Sequence, residues 1–245
     1  MPRPLVLLVA LLAALLSAQL SAPSARAEAP AEPLRLLFIG NSLTSTHDLP
    51  LIVQAMAAQQ GCAVKVTVRA VPDFSLEDHW KSGARNLLAS TQPDFVILQQ
   101  GPSTRPESRE HLARWTRAWA DVARATAKPA QVALFMVWPI SGTRDGFKLV
   151  SRSYREAAEA NQCRLLAAGD AWAAVLALSH LSTLHDPDGL HPNLSGSFLA
   201  AMVIARGLTG IDPALVPARL KLASGRIVTV PEETLARFRT VLAAP

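Results

Sequence analysis

Leu34-Arg35-Leu36-Leu37-Phe38-Ile39-Gly40-Asn41-Ser42 is the stretch whose reading decides the fold. An apolar run this short, closed by glycine, reads as a buried strand rather than a helix. The serine that follows stands in the loop at the strand's carboxyl end. Outward from it the same punctuation recurs. Cys62–Ala70 alternates with β-branched residues, and Pro93-Asp94 introduces a third strand, Phe95–Leu98. Gln131–Val137 is a fourth strand, closed by Trp138-Pro139, and Arg164–Ala168 a short fifth. Helical segments fill the intervals: Leu49–Gln60, Leu76–Ser90, Pro106–Lys128, Phe147–Gln162, Ala171–His180, and Leu194–Leu208 with Gly210 as its stop. The last 20 residues read as a short strand and a helix on the surface.

Strands that alternate with helices form βαβ units, so the fold class is α/β: a three-layer α/β/α sandwich around a five-stranded parallel sheet. The expected strand order is the flavodoxin-like 2-1-3-4-5. Such sheets bind ligands at the carboxyl ends of their strands. Ser42, Asp73, Gln100 and Trp138 all follow strand ends and are expected on one rim. In that order Cys62 opens an edge strand and Cys163 the opposite edge. Four inter-strand spacings hold them roughly 19 Å apart, too far for an internal disulfide.

The first residues read as a secretory signal over positions 1–27. Arg3 supplies the positive start, Leu5–Leu16 an uncharged apolar run, and Ala25-Arg26-Ala27 an A-x-A cleavage site. That run of about 12 residues is shorter than the roughly 20 needed to span a bilayer. The expectation is a secreted or periplasmic bacterial protein, a single domain over 28–245, with no stable membrane insertion after cleavage. The net charge of +5 is scattered. Arg105, Arg109, Arg114, Arg117 and Arg124 are interleaved with Glu107, Glu110 and Asp121 along one helix, the pattern of a solvated face. No basic block with interleaved aromatics marks a nucleic-acid partner.

A second segment, Asp188-Gly189-Leu190-His191-Pro192-Asn193-Leu194, carries an Asp-x-x-His before the last long helix. A serine hydroxyl is a weak nucleophile until a base takes its proton. The imidazole that does so needs an acceptor on its other nitrogen. Gly40-Asn41-Ser42-Leu43 and Asp188-x-x-His191 together resemble the SGNH, or GDSL-like, hydrolases. The flanking Phe38–Thr44, Ser75–Trp80, Val96–Gln100 and Asp188–Ala201 resemble a poorly characterised bacterial branch of that superfamily. The resemblance implies SGNH-hydrolase topology, Ser42 as nucleophile, His191 as general base, Asp188 as the carboxylate that orients it, and no cofactor. Asp186 is a rival for the orienting role.

The oxyanion positions depart from the pattern the resemblance implies. Where a glycine is expected after strand 2 stands Asp73, and after strand 3 comes Gln99-Gln100-Gly101-Pro102-Ser103 without the expected asparagine. Gln100 is the candidate amide donor, Asp73 offers its backbone N–H, and Ser103 occupies the nominal asparagine place. Two other readings follow from the residues. His185, Asp186, Asp188 and His191 offer metal-ligand chemistry in seven residues, but two prolines stiffen the loop and no remote cluster joins it; no metal is expected. A catalytically weak SGNH-fold module that binds acylated glycans is the alternative to an esterase acting on a small-molecule or glycan ester. Among the aromatics, Trp80, Trp115, Trp119 and Trp172 are expected in packing roles. Trp138 suits either the core or the site wall. His47 is expected to serve the start of the next helix.

Overall fold

The computed structural model describes residues 32–178 and 183–243, so the signal expected over 1–27 lies outside the described residues. Every element below belongs to the compact unit that begins at Pro33. Strand β1 is Leu34–Gly40, and the short helix α1, Ser42–Ser45, follows it at once. A 3-10 turn leads to α2, Leu49–Gln59. Then come β2 Val64–Ala70, α3 Leu76–Lys81, α4 Asn86–Thr91, β3 Phe95–Leu98 and α5 Pro106–Arg124. The chain continues through β4 Gln131–Phe135, α6 Gly146–Ala160, β5 Arg164–Leu166, α7 Ala168–Leu178 and α8 Leu194–Thr209. It closes with a hairpin, β6 Arg219–Lys221 and β7 Ile227–Thr229, and helix α9, Glu232–Ala243.

The five-stranded sheet has the order β2-β1-β3-β4-β5, all parallel, as the alternation predicts. In the central strands Leu36–Ile39, Val96–Leu98 and Ala133–Phe135 are at most 1% exposed. A parallel sheet must be covered on both faces. Helix α2 packs on α8 and α8 on α7, while α5 packs on α6. Cys62 and Cys163 are free thiols that precede strands at opposite edges of this sheet. Among the described residues no helix is long and apolar enough to cross a membrane.

One local expectation is corrected. The segment Leu76–Ser90 is two helices rather than one. Gly83, at φ +78°, turns the chain between Lys81 and Asn86, a conformation glycine adopts without steric penalty. The last 20 residues hold the expected short strand and surface helix, and α9 buries one side, Leu235, Phe238 and Leu242, where it packs against α7. The expected end of the helical segment Ala171–His180, Ser179 to His180, lies outside the described residues.

Candidate active site

Ser42 is presented by a turn that has little freedom to move. Asn41 has extended backbone angles and caps α1, its Oδ1 accepting from the Leu43 N–H at 3.1 Å. Its own N–H donates to Gln99 Oε1 at 2.8 Å, and the Thr44 hydroxyl donates to the same oxygen at 2.7 Å. Gln99 is fully buried, and its Nε2 donates to the Gln100 carbonyl at 2.8 Å. A side chain on residue 40 would collide with Thr44 Oγ1 and Gln99 Oε1, so glycine there is a steric requirement. The Gly40 carbonyl accepts from His79 Nε2 at 2.7 Å. A carbonyl only accepts, so the His79 proton is on Nε2. Its Nδ1 is buried with no partner among the described residues. Burial holds His79 below the usual histidine pKa, which keeps the ring neutral.

The segment that carries His191 is shaped first by bonds within itself. His185 and Pro192 form an antiparallel bridge, and the Asp186 N–H donates to the His191 carbonyl at 2.8 Å. Gly189, at φ +70°, lets the chain reverse. Asp188 Oδ1 accepts from the Leu190 and His191 N–H groups at 2.8 and 2.9 Å. Asp188 Oδ2 accepts from His191 Nδ1 at 2.6 Å. The His191 hydrogen bond first, then the two backbone donors, lower the Asp188 carboxyl to about 2. With its proton on Nδ1, His191 turns the Nε2 lone pair to the Ser42 hydroxyl, 2.8 Å away. The structure thus joins Ser42, His191 and Asp188 in one hydrogen-bonded chain. Asp186 contributes backbone bonds, and the Nδ1 contact belongs to Asp188.

Beneath this loop stand stacked aromatic rings. Trp138 is fully buried and donates its Nε1–H to the Leu190 carbonyl at 3.0 Å. It stacks on Trp172 at 3.7 Å between ring centres, and Trp172 meets His185 edge-on at 5.0 Å. Of the two roles open to Trp138, the structure selects the core: it supports the loop from below. His47, at φ +58°, donates from Nε2 to the Pro192 carbonyl at 3.2 Å and ties the serine's loop to the histidine's. Trp80 packs between Trp115 and Trp119, as expected.

A cleft of about 270 Å³ opens at Ser42. Leu43, Phe74, Pro102, Ile140 and Leu190 give it apolar walls, and Asp73 and Gln100 give it polar ones. Gln100 Oε1 accepts from the Leu76 N–H at 3.3 Å, which fixes which way the amide faces. Its Nε2 donates to Ser103 Oγ at 3.3 Å, and that nitrogen has a second hydrogen to give. Ser103 is turned away, its hydroxyl donating to the Gly101 carbonyl at 3.0 Å. Tyr154, fully buried, donates to the carbonyls of Gln100 and Gly101 and pins that loop. Asp73 is exposed, in the left-handed region at φ +63°. Neither its backbone N–H nor that of Ser42 has an acceptor among the described residues.

Of the four residues expected on one rim, Ser42, Asp73 and Gln100 line the same cleft while Trp138 lies buried beneath it, and sequence reading passes over the parts played by Gln99 and His79. The available signal for Gln99 is its position: a polar residue directly after an all-apolar strand end, where burial demands hydrogen-bond partners. Among the described residues no three His, Cys, Asp or Glu side chains gather as a metal ion would require.

No protein-family model matches the sequence, and no curated protein matches it. Solved structures do match. A protein of Slackia heliotrinireducens assigned to the SGNH hydrolases is 24% identical at a TM-score of 0.60, over 72% of this chain and 99% of its own. A DUF4886 family protein of Bacteroides uniformis is 16% identical at 0.65, over 87% and 96%. An acetyl xylan esterase of Geobacillus stearothermophilus is 16% identical at 0.54, over 71% and 92%. At these identities the likeness is one of fold: the chain has the SGNH-hydrolase fold.

Proposed function

We propose that this protein is an exported serine ester hydrolase that removes short acyl groups, such as acetyl, from a carbohydrate or similar alcohol. The observation that carries the reading is the unbroken hydrogen-bonded chain from Ser42 Oγ through His191 to Asp188, at the carboxyl ends of the strands where such sheets bind ligands. Ser42 Oγ attacks the ester carbonyl carbon as its proton passes to His191 Nε2. The Asp188 carboxylate stabilises the imidazolium so formed. Negative charge gathers on the former carbonyl oxygen, where the N–H groups of Ser42 and Asp73 and the second N–H of Gln100 are the donors at hand. The tetrahedral species collapses, the carbon–oxygen bond to the alcohol breaks, and His191 returns the proton to the departing oxygen. Water then attacks the acyl-serine, gives a proton to His191, and releases the carboxylic acid with Ser42 restored. The chain's own residues carry every step.

The cleft of about 270 Å³ at Ser42 has room for a short acyl group beside the serine. Export rests on the charged start, apolar run and A-x-A site at positions 1–27. The carbohydrate reading parallels the acetyl xylan esterase among the structural relatives. The exposed carboxylate of Asp73 at the cleft rim favours a second reading, a scaffold that binds acylated glycans without turning them over.

One experiment separates them. Wild type and Ser42→Ala are incubated near pH 8 with p-nitrophenyl acetate and butyrate, and in parallel with a fluorophosphonate. Turnover and labelling that both disappear in Ser42→Ala, a loss of roughly 10⁶-fold in rate with little change in melting temperature, are expected. A folded wild type that neither turns over nor labels would give the site to the binding module.

A further inference from the structure

We propose that a second pocket, beyond Ile140, seats the alcohol half of the ester, and that it takes a single uncharged ring bearing hydroxyls. This rests on the ester-hydrolase reading above and names the substrate class for it. Ile140, half exposed, lines both the cleft at Ser42 and this neighbouring pocket of about 210 Å³. The two spaces therefore share one wall.

The second pocket lies on the histidine side of the cleft. Its floor is the segment after β4, where the Ser141 N–H donates to the Gly189 carbonyl at 2.8 Å. Its other side is Thr183–His185, where His185 bridges to Pro192 and donates from Nε2 to the Pro139 carbonyl at 3.0 Å. Both walls are bonded to the loop that carries His191. The candidate oxyanion donors, Asp73 and Gln100, line only the first cleft. The chemistry orients a substrate across this arrangement. The ester's alcohol oxygen must face His191 Nε2 to take back the proton, while the carbonyl oxygen must face the donors on the opposite side. The body of the alcohol is thereby directed past Ile140.

Lining chemistry gives the class. Among the described residues no Asp, Glu, Lys or Arg lines the pocket, so a charged alcohol would lose hydration without compensation. The Ser141 and Thr143 hydroxyls have no partner among the described residues, and the Thr183 hydroxyl donates to the His185 carbonyl at 3.2 Å. Phe147 and Leu176 supply apolar surface between these hydroxyls. Hydroxyls beside apolar faces match a ring with OH groups at its edge and CH groups on its face. A volume of about 210 Å³ accommodates one such ring.

The test compares two acetyl esters that differ in the alcohol: a mono-O-acetylated methyl pyranoside, and vinyl acetate, whose two-carbon alcohol cannot reach past Ile140. Thr143→Trp fills the pocket from the loop and Leu176→Trp from helix α7, so that a loop which refolds around one substitution leaves the other to decide. The ratio of kcat/KM for the pyranoside over vinyl acetate is expected to fall about tenfold or more in each. A ratio that stays at the wild-type value, or both substrates declining in parallel, overturns the proposal. A readout without turnover accompanies it: Ser42→Ala is expected to bind the same pyranoside in ligand-observed NMR, and Ser42→Ala/Thr143→Trp to lose that binding. Wild type inactive on both esters would defeat the hydrolase reading, while equal pyranoside binding with and without Thr143→Trp would defeat the pocket.

Discussion

The loop that carries His191 and the turn that carries Ser42 hold their side chains in opposite ways. Asp188 bonds to residues two and three positions ahead in the chain. A peptide of that sequence already contains the partners. The turn at Ser42 is held by residues from elsewhere: Asn41 to Gln99 across 58 positions, Thr44 to Gln99 across 55, and Gly40 to His79 across 39. One half of the candidate site is a local motif and the other is a product of the sheet order. Loss of a local partner should therefore damage chemistry alone, whereas loss of a distant one should damage chemistry and folding together.

Asp188→Asn is the sharpest probe of the local half. It leaves the loop's size unchanged and removes the charge that fixes the His191 tautomer, so kcat should fall about 10⁴-fold. The asparagine oxygen can still accept from the Leu190 and His191 N–H groups, so the thermal midpoint should hardly move. A midpoint that drops with the rate would mean the loop is not self-sufficient.

Gln100 tests the rim that both halves face. Gln100→Leu removes a candidate oxyanion donor, and a loss of about 10²–10³ in kcat is expected, with KM for a short ester nearly constant. If kcat is unchanged, the backbone N–H groups of Ser42 and Asp73 suffice.

Gln99→Met separates the two halves most directly. It leaves the Asn41 N–H and the Thr44 hydroxyl without their acceptor, while the Gln100 carbonyl keeps its bond from Tyr154. Each stranded buried group costs about 1–3 kcal/mol, readable in urea titrations. Displacement of Ser42 should also lower kcat by up to about 10²-fold. Gln99→Glu keeps the acceptor for Asn41 and Thr44 but not the donor to Gln100, and should recover part of both losses. Unchanged stability in Gln99→Met would break the contrast between the two regions.

The smallest effect is a pH slope. Burial lowers the folded-state pKa of His79 below 6.5, so the unfolded chain binds a proton that the folded chain refuses. Stability contributed by neutral His79 is present above about pH 6.5 and declines as pH falls below it, by at most about 1.4 kcal/mol per pH unit. His79→Gln should flatten that part of the unfolding free energy measured between pH 7 and 5. Asp188 adds nothing in this window, since its lowered carboxyl, at about 2, stays charged throughout it.

The sequence by itself determined the strands, all but one of the helical intervals between them, and the two motifs that carry Ser42 and the Asp188–His191 pair. Those features follow from periodicity and from bonds between near neighbours, which a linear text contains. It also placed Asp73 and Gln100 on the same rim, because parallel strands send all their carboxyl ends one way. Only the tertiary structure decided that Gln99 and His79 hold the serine's turn, that Trp138 supports the base loop rather than walling the cleft, and that Ile140 divides two pockets. Each of those depends on which distant groups share a buried space, and burial is what makes an unpartnered polar group costly and a matched one directional.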